Sequence, residues 1–416
     1  MVSVAAVILI STVLLAAALL ARRRQLSPLL VSRHGDAYVT LMVDEASMLG
    51  ALGAPPTITA TTFVRIDTEY VVQRVHAIVR ANPWLLGRLV RRGANIELQY
   101  DLKAVVPANI VSCVHAAPED LINCIRIGSG YDCLGKENQS LFEVIVATLA
   151  DGQAALVMAL SHAIGDGATY YALFKMLDYR ETVLTLDPVR PHHDKAGAVK
   201  ECTGQAPAMT RAFSLARISY KIAAYSWQHL QSLTTYRVRT DVVKQLKAAH
   251  IPTDTAPFLS THDIVASAFF SVTNTTLGCV PVDLRSRLRL PPTTAGNYAE
   301  LVPLSRIACS TPAAIRRAFR DKTGPIDVAT ADFPDLGQAL LGGRLTLLTN
   351  WRSFYHHLAL ASGECATGHD PLAKKCFVPL DACGVLYQHT PNELRVRATA
   401  DNLGTHRLFE PLVPTT

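Results

Sequence analysis

A mixed α/β fold in two halves is what this 416-residue sequence predicts, on three observations. The chain is longer than a single hydrophobic core usually grows, so two subdomains are expected. Strand-like and helix-like segments alternate along its length instead of clustering by type. A stretch carrying Pro188, Pro191 and Pro207 with glycines and mixed charge, residues 186–212, reads as a crossover between the halves. The expected organisation is therefore a membrane anchor at 1–24, a linker at 25–37, an N-terminal subdomain at 38–185, the crossover, and a C-terminal subdomain at 213–416.

Each element has its own signature. Val2 to Ala21 (VSVAAVILISTVLLAAALLA) is 20 residues without a charge, followed at once by Arg22-Arg23-Arg24. As a helix it would span about 30 Å, the thickness of a bilayer's hydrocarbon. A cleaved signal peptide would carry its positive charge before a shorter apolar core. Arginines after the span predict a single-pass anchor with the body facing the cytosol, the endoplasmic reticulum being the expected membrane.

Farther on, TFVRID (62–67) reads as extended, and TEYVVQRVHAIVRA places Val72, Val75, Ile78 and Val79 at helical spacing until Pro83 stops it. IELQY (96–100) alternates like a strand. LFEVIVATL (141–149) and QAALVMALS (153–161) are strand-length runs joined by Ala-Asp-Gly, a hairpin signal. Tyr170, Leu173, Phe174 and Leu177 then mark one face of an amphipathic helix.

In the second half, Val242, Val243, Leu246 and Ala249 mark a helix, and LSTHDIVASAFFSVTNTT (259–276) another. Ser260 caps the second with Asp263 in its first turn. GCVPVDLRSRL, RLTLLTNW (344–351), GVLYQ (384–388) and ELRVRATA (393–400) read as strands.

Composition excludes several classes of function. Hydrophobic residues at 49% and charged residues at 18% exclude a disordered chain. The net charge of +6 is mild, and no later stretch crowds Lys/Arg among aromatics, so no nucleic-acid partner is expected. Nine scattered cysteines without a CxxC indicate neither a structural zinc nor a disulfide framework, as suits a reducing compartment.

The segment with chemistry in it is Leu160-Ser-His-Ala-Ile-Gly-Asp-Gly167, where the second hairpin strand runs into His162 and a helix follows Gly167. A neutral imidazole can take a proton from a hydroxyl or amine near neutral pH and return it to a leaving group. Gly165 and Gly167 are expected to permit a sharp bend, and Asp166 to pair with a buried cation that ties the turn down. A metal shared by His162 and Asp166 would need a helix and a third ligand; the glycines oppose the first and the second is not evident. Ser260-Thr-His-Asp263 holds the residue types of a nucleophilic triad, but adjacent residues cannot converge as one.

These residues carry a resemblance. HAIGDG, with a hairpin before it and a helix after it, resembles the HxxxDG signature of the CoA-dependent acyltransferase superfamily. That superfamily includes chloramphenicol acetyltransferase, the BAHD acyltransferases and condensation domains. Ala81-Asn-Pro-Trp-Leu-Leu-Gly-Arg-Leu89, Leu259-Ser-Thr-His-Asp-Ile264, Val282-Asp-Leu-Arg-Ser-Arg-Leu288 with Pro291-Pro292 and Gly296-Asn297, and Thr349-Asn-Trp351 are similar to further family segments in matching order. The BAHD motif DFGWG is absent, and Ser161 stands where condensation domains have a second histidine.

The resemblance implies two chloramphenicol acetyltransferase-like subdomains with the active site in a channel between them. Acyl-CoA is the implied cosubstrate, with no tightly bound cofactor and no metal. His162 is the implied general base of an O- or N-acyltransferase acting on a small-molecule acceptor, which the anchor suggests is lipophilic. For Asp166 the family expects an arginine, Arg285 first and Arg287 behind it. Asn297 is expected to support a turn, and Thr349 and Asn350 to contact the oxyanion or substrate. The alternatives are a condensation-type enzyme fed by a carrier-bound thioester, or a catalytically silent, membrane-tethered binding protein.

Overall fold

The computed structural model describes residues 36–47, 49, 55–128, 133–134, 139–191, 233–320, 326, 332–334, 343–361, 363–373, 380–400 and 402–412. The expected anchor at 2–21 and most of the crossover lie outside them. Among the described residues no helix is long and apolar enough to cross a membrane.

The strands are β1 (Asp36–Thr40), β2 (Thr57–Phe63), β3 (Arg88–Arg92), β4 (Asn95–Asp101), β5 (Val111–Ala116), β6 (Phe142–Leu149), β7 (Ala154–Leu160), β8 (Thr234–Val238), β9 (Leu277–Asp283), β10 (Ala299–Ser305), β11 (Leu345–Asn350), β12 (Gly368–Pro371), β13 (Ala382–Thr390), β14 (Glu393–Ala398) and β15 (Phe409–Pro411). The helices are α1 (Val43–Ser47), α2 (Thr68–Ala81), α3 (Gly167–Lys175), α4 (Thr240–Ala248), α5 (Thr261–Val272) and α6 (Pro312–Ala318). Among the described residues three sheets form, ordered β1-β4-β3, β12-β2-β7-β6-β5 and β10-β9-β11-β13-β14-β8-β15. The fold is mixed α/β, as expected.

The local signals explain the elements that matter for the site. β6 and β7 pair antiparallel from Phe142 with Leu160 to Thr148 with Ala154. Gly152 closes their turn at φ 83°, a conformation costly for any residue with a Cβ. Helix α2 starts where the Asp67 carboxylate accepts from Tyr70 N, and it buries Val71, Val75, Ile78 and Val79. Val72, expected on that face, is only half-buried, and Val71 takes its place. Helix α5 begins with the expected Ser260–Asp263 capping box. Its Phe269 and Phe270 join Leu348, Leu386 and Val396 in one core on one side of the seven-stranded sheet.

Helix α3 is the pivot. Tyr170, Tyr171, Leu173 and Phe174 are buried in the core that also holds Val75, Trp84, Phe142 and Leu156. The Tyr170 hydroxyl donates to the Met158 carbonyl at 3.0 Å and meets Thr59 Oγ1 at 2.7 Å, pinning the helix to β7 and β2.

One strand crosses the division drawn from sequence. β12 belongs to the C-terminal half yet pairs antiparallel with β2, Gly368 opposite Thr62. It carries His369 into the interior, where Nδ1 lies 2.9 Å from Thr61 Oγ1 and Nε2 lies 3.0 Å from the Tyr171 hydroxyl.

Burial pushes the His369 imidazole down to about 4, although nearby Asp370 favours its charged form. A histidine held neutral stabilises the fold fully above its unfolded value of 6.5, and that stability is lost as pH falls towards 4. The single group therefore costs the protein about 2 kcal/mol between pH 7 and pH 5. His369→Gln keeps polar partners for Thr61 and Tyr171 and removes the titration. Urea unfolding at pH 7 and pH 5 should show the variant losing about 2 kcal/mol less than the parent. An equal loss in both would mean that the ring is not held neutral.

Candidate active site

The HAIGDG segment is a turn between β7 and α3. The chain leaves β7 at Leu160, and Ile164 N donates to the Ser161 carbonyl at 3.1 Å, closing a tight turn around His162 and Ala163. Asp166 then caps α3, accepting from Thr169 N at 3.0 Å. The four-residue spacing thus has a plain meaning. The imidazole stands on the turn and the carboxylate starts the helix, so the two side chains occupy different environments. His162 is half-buried, whereas Asp166 is 1% exposed.

The glycines work differently from the sequence expectation. Neither Gly165 nor Gly167 adopts a left-handed conformation. Gly165 is needed for close packing, since a Cβ there would stand 2.8 Å from Thr169 Cγ2 and 2.9 Å from Leu160 Cδ2. Gly167 is the first helical residue, and a Cβ on it would make ordinary contact, 3.6 Å from Phe354. The bend itself demands no glycine.

Asp166 is surrounded by donors. Arg285 meets it with both terminal nitrogens, Nη1 to Oδ2 at 2.9 Å and Nη2 to Oδ1 at 3.0 Å. Tyr298 N and Ala299 N donate to Oδ2 at 2.9 and 3.1 Å. Burial alone would raise this carboxyl's pKa. The Arg285 charge, with hydrogen bonds from Arg285, Thr169 and Tyr298, outweighs burial and holds it below the usual carboxylate value. Arg285 also donates to the Thr294 carbonyl at 2.9 Å and the Gly296 carbonyl at 2.9 Å, and its guanidinium lies 5.0 Å from the Tyr298 ring centre. Of the two arginines considered, Arg285 is the one in the pair; Arg287 is half-buried and makes no part of it.

The pair holds a loop as well as a turn. Residues 294–299 run beside HAIGDG, and from this loop Asn297, fully buried, extends its carboxamide to His162, with Nδ2 at 3.2 Å from Nδ1. Asn297 does more than support a turn: it reaches the imidazole itself.

Thr349 and Asn350 end β11, paired with Val385 and Leu386 of β13. The Asn350 side-chain oxygen accepts from Arg352 N at 3.0 Å, so it caps the turn that follows. That turn brings Trp351 and Phe354 against Tyr171 of α3, at ring separations of 6.0 and 5.6 Å. The end of β11 is therefore beside the start of α3.

Two residues of this assembly escaped sequence reasoning. Glu45 of α1 and Arg190, at the start of the expected crossover, form a second buried ion pair at 2.9 Å beneath the same loop. Neither carries a local signal, because a lone charge in a short segment reads as surface. A surface cleft of about 370 Å³ near Arg237, Thr240 and Glu393 shares no residue with this cluster.

No protein-family model and no curated protein matches the sequence. Solved structures do match. TRI101 of F. graminearum complexed with coenzyme A and deoxynivalenol is similar over 90% of this chain and 99% of its own, at 11% identity and TM-score 0.55. Polyketide synthase associated protein 5 from Mycobacterium tuberculosis is similar over 92% and 95%, at 16% identity and TM-score 0.54. The condensation domain of the Monacolin K polyketide synthase MokA is similar over 87% and 91%, at 12% identity and TM-score 0.52.

The chain shares the fold of these structures. At these identities the likeness is one of fold, and the chemistry rests on the residues just described.

Removing one partner of a buried pair leaves the other charge uncompensated, at a cost of about 3–5 kcal/mol. Asp166→Asn should lower the unfolding free energy by that amount in urea titrations at pH 7. A carboxyl with a depressed folded value contributes stability that is present above 3.8 and lost as pH falls below it. The parent should therefore lose this contribution below about pH 4, and Asp166→Asn should show no such component. A variant as stable as the parent would mean that Asp166 does not organise the turn.

Proposed function

We propose that this protein transfers an acyl group from acyl-CoA to a hydroxyl or amine acceptor, with His162 as the general base. One observation carries the reading. A half-exposed imidazole is held through Nδ1 by a buried carboxamide, on a turn anchored by a buried ion pair. The fold around it is one whose solved relatives include proteins complexed with coenzyme A. Nδ1 faces Asn297, and Nε2 is the nitrogen proposed to meet the reactants.

For Nε2 to accept a proton the ring must carry its hydrogen on Nδ1, with the Asn297 carboxamide presenting its oxygen to it. A half-turn of the carboxamide exchanges its two ends. Nε2 then takes the proton of the acceptor as its oxygen or nitrogen attacks the thioester carbonyl. The tetrahedral oxyanion collapses, the C–S bond breaks, and the proton passes from the imidazolium to the departing thiolate. Thr349 is the proposed donor to the oxyanion, a contribution of about 3 kcal/mol where such a donor is preorganised. Asn350 is the second proposed donor, through Nδ2, its side-chain oxygen being held by Arg352 N. Asp166 takes no part in proton transfer; its carboxylate is fully occupied by five donors from Arg285, Thr169, Tyr298 and Ala299.

A carrier-bound thioester is the second reading, favoured by the condensation and cyclization domains among the structures of the same fold. A panel of acyl-CoAs crossed with alcohol and amine acceptors separates the two. Thiol release from free acyl-CoA that depends on the acceptor supports the first. Turnover only with a phosphopantetheinyl carrier protein would replace it with the second. His162→Ala should lower turnover by about 10²–10⁴-fold with an unchanged melting temperature. A variant retaining parental turnover would remove His162 from the chemistry.

The uncharged run at residues 2–21 supports tethering this activity to a membrane with the body in the cytosol, near a lipid-soluble acceptor or donor. Deleting residues 1–24 should leave turnover of water-soluble substrates unchanged and reduce turnover of substrates presented in vesicles. Equal rates on both, compared with the full chain, would overturn the tethering.

A further inference from the structure

Asn297 must be held rigidly if it is to set a histidine ring, and the Asp166–Arg285 pair reaches only its neighbours, Gly296 through the carbonyl and Tyr298 through the amide. The amide of Asn297 itself goes elsewhere. It donates to Glu45 Oε1 at 2.8 Å, while Met42 N donates to Oε2 at 2.9 Å. Glu45 is wholly buried and Arg190 is 1% exposed.

Arg190 spends its whole guanidinium on this spot. Nε lies 3.0 Å from both Glu45 oxygens. Nη2 donates to the Ile164 carbonyl at 3.2 Å, and Nη1 to the Ala295 carbonyl at 3.0 Å and to Pro188. Ile164 is two residues after His162, and Ala295 is two before Asn297. The cation thus ties the turn that carries the imidazole to the loop that carries the carboxamide, and its carboxylate partner fixes the backbone of that carboxamide. The ring of contacts closes at the hydrogen bond between Asn297 and His162.

Gly296 shows how close this packing is. It adopts φ 130°, and a Cβ there would stand 2.8 Å from Arg190 Cζ, so the loop lies directly on the guanidinium. A buried ion pair contributes little net stability relative to apolar residues of the same volume. What it contributes here is a set of fixed directions.

We infer that Glu45 and Arg190 are positioning residues for His162, holding Asn297 against Nδ1 and so setting the tautomer and rotation of the ring. The kinetic side of this inference rests on the acyl-transfer reading; the spectroscopic side does not.

The test uses the full chain with Glu45→Gln/Arg190→Met, which leaves no orphaned charge, and Arg190→Lys, which keeps the charge but cannot fork to both carbonyls. Two quantities are read in each folded variant: kcat and KM with acyl-CoA, and the ¹⁵N shifts of the His162 ring nitrogens, assigned by difference from His162→Ala. The parent should show one tautomer, with separated nitrogen shifts. The variants should show the shifts drawn together as both tautomers populate. kcat should fall by about 10²-fold, the effect of a displacement near 1 Å, with KM changed much less. Parental shifts and parental kcat in a folded variant would overturn the proposal and leave the pair a purely structural one. If the double variant does not fold, Arg190→Lys decides by the same two readings. Shifts that change in a protein whose parent turns over no thioester would sustain the positioning role and overturn the acyl-transfer reading.

Discussion

The bidentate contact between Asp166 and Arg285 is the constraint on which the site depends. It joins a carboxylate from the β7–α3 turn to a cation that follows β9, 119 residues later in the chain. Neither charge could stay ionised in that interior alone, because the desolvation cost of each is met only by the other and by backbone groups around it. The backbone groups it recruits include Gly296, Tyr298 and Ala299, so the ion pair also dictates the path of the loop that carries Asn297. Turn and loop are held by this pair together with the Glu45–Arg190 pair beneath them.

His369 and His162 show how environment distinguishes one imidazole from another. His369 has both ring nitrogens engaged, by Thr61 and Tyr171, and is closed into the core where only its neutral form is stable. It cements β12 to the sheet of the other half. His162 sits at the end of a strand with one nitrogen directed to Asn297, and it keeps contact with solvent. The same side chain is locked through both nitrogens in one place and held through Nδ1 on a half-buried turn in the other.

The solved structures that match share the fold and little of the sequence. They extend over nearly the whole described chain at low identity, which is what a fold defined by sheet order and a few buried polar anchors permits. Most core positions need only be apolar and of suitable size, so they drift. A buried pair with seven or more directed hydrogen bonds cannot drift one residue at a time, since each single loss strands a charge.

Local physics was written openly in the sequence. The β6–β7 hairpin, helix α3 with Tyr170, Leu173 and Phe174 on its inner face, the Ser260 capping box, and the strands near 345, 384 and 393 all declare themselves through periodicity, caps and turn residues within a few positions. The chemical segment did so too, because His162 and Asp166 lie on one turn, and the resemblance of its neighbours pointed to Arg285. Tertiary structure alone decided the rest. β12 joins the opposite half because pairing between distant strands leaves no mark on either one. Glu45 and Arg190 are 145 residues apart, and each looks like a surface charge until the fold removes water from both. The glycines of HAIGDG were read as a bend, and Gly165 proved to be a matter of packing, since the space beside it is set by Thr169 and Leu160. A sequence determines which groups can ionise, cap or turn; which of them lose their water together is decided only when distant segments meet.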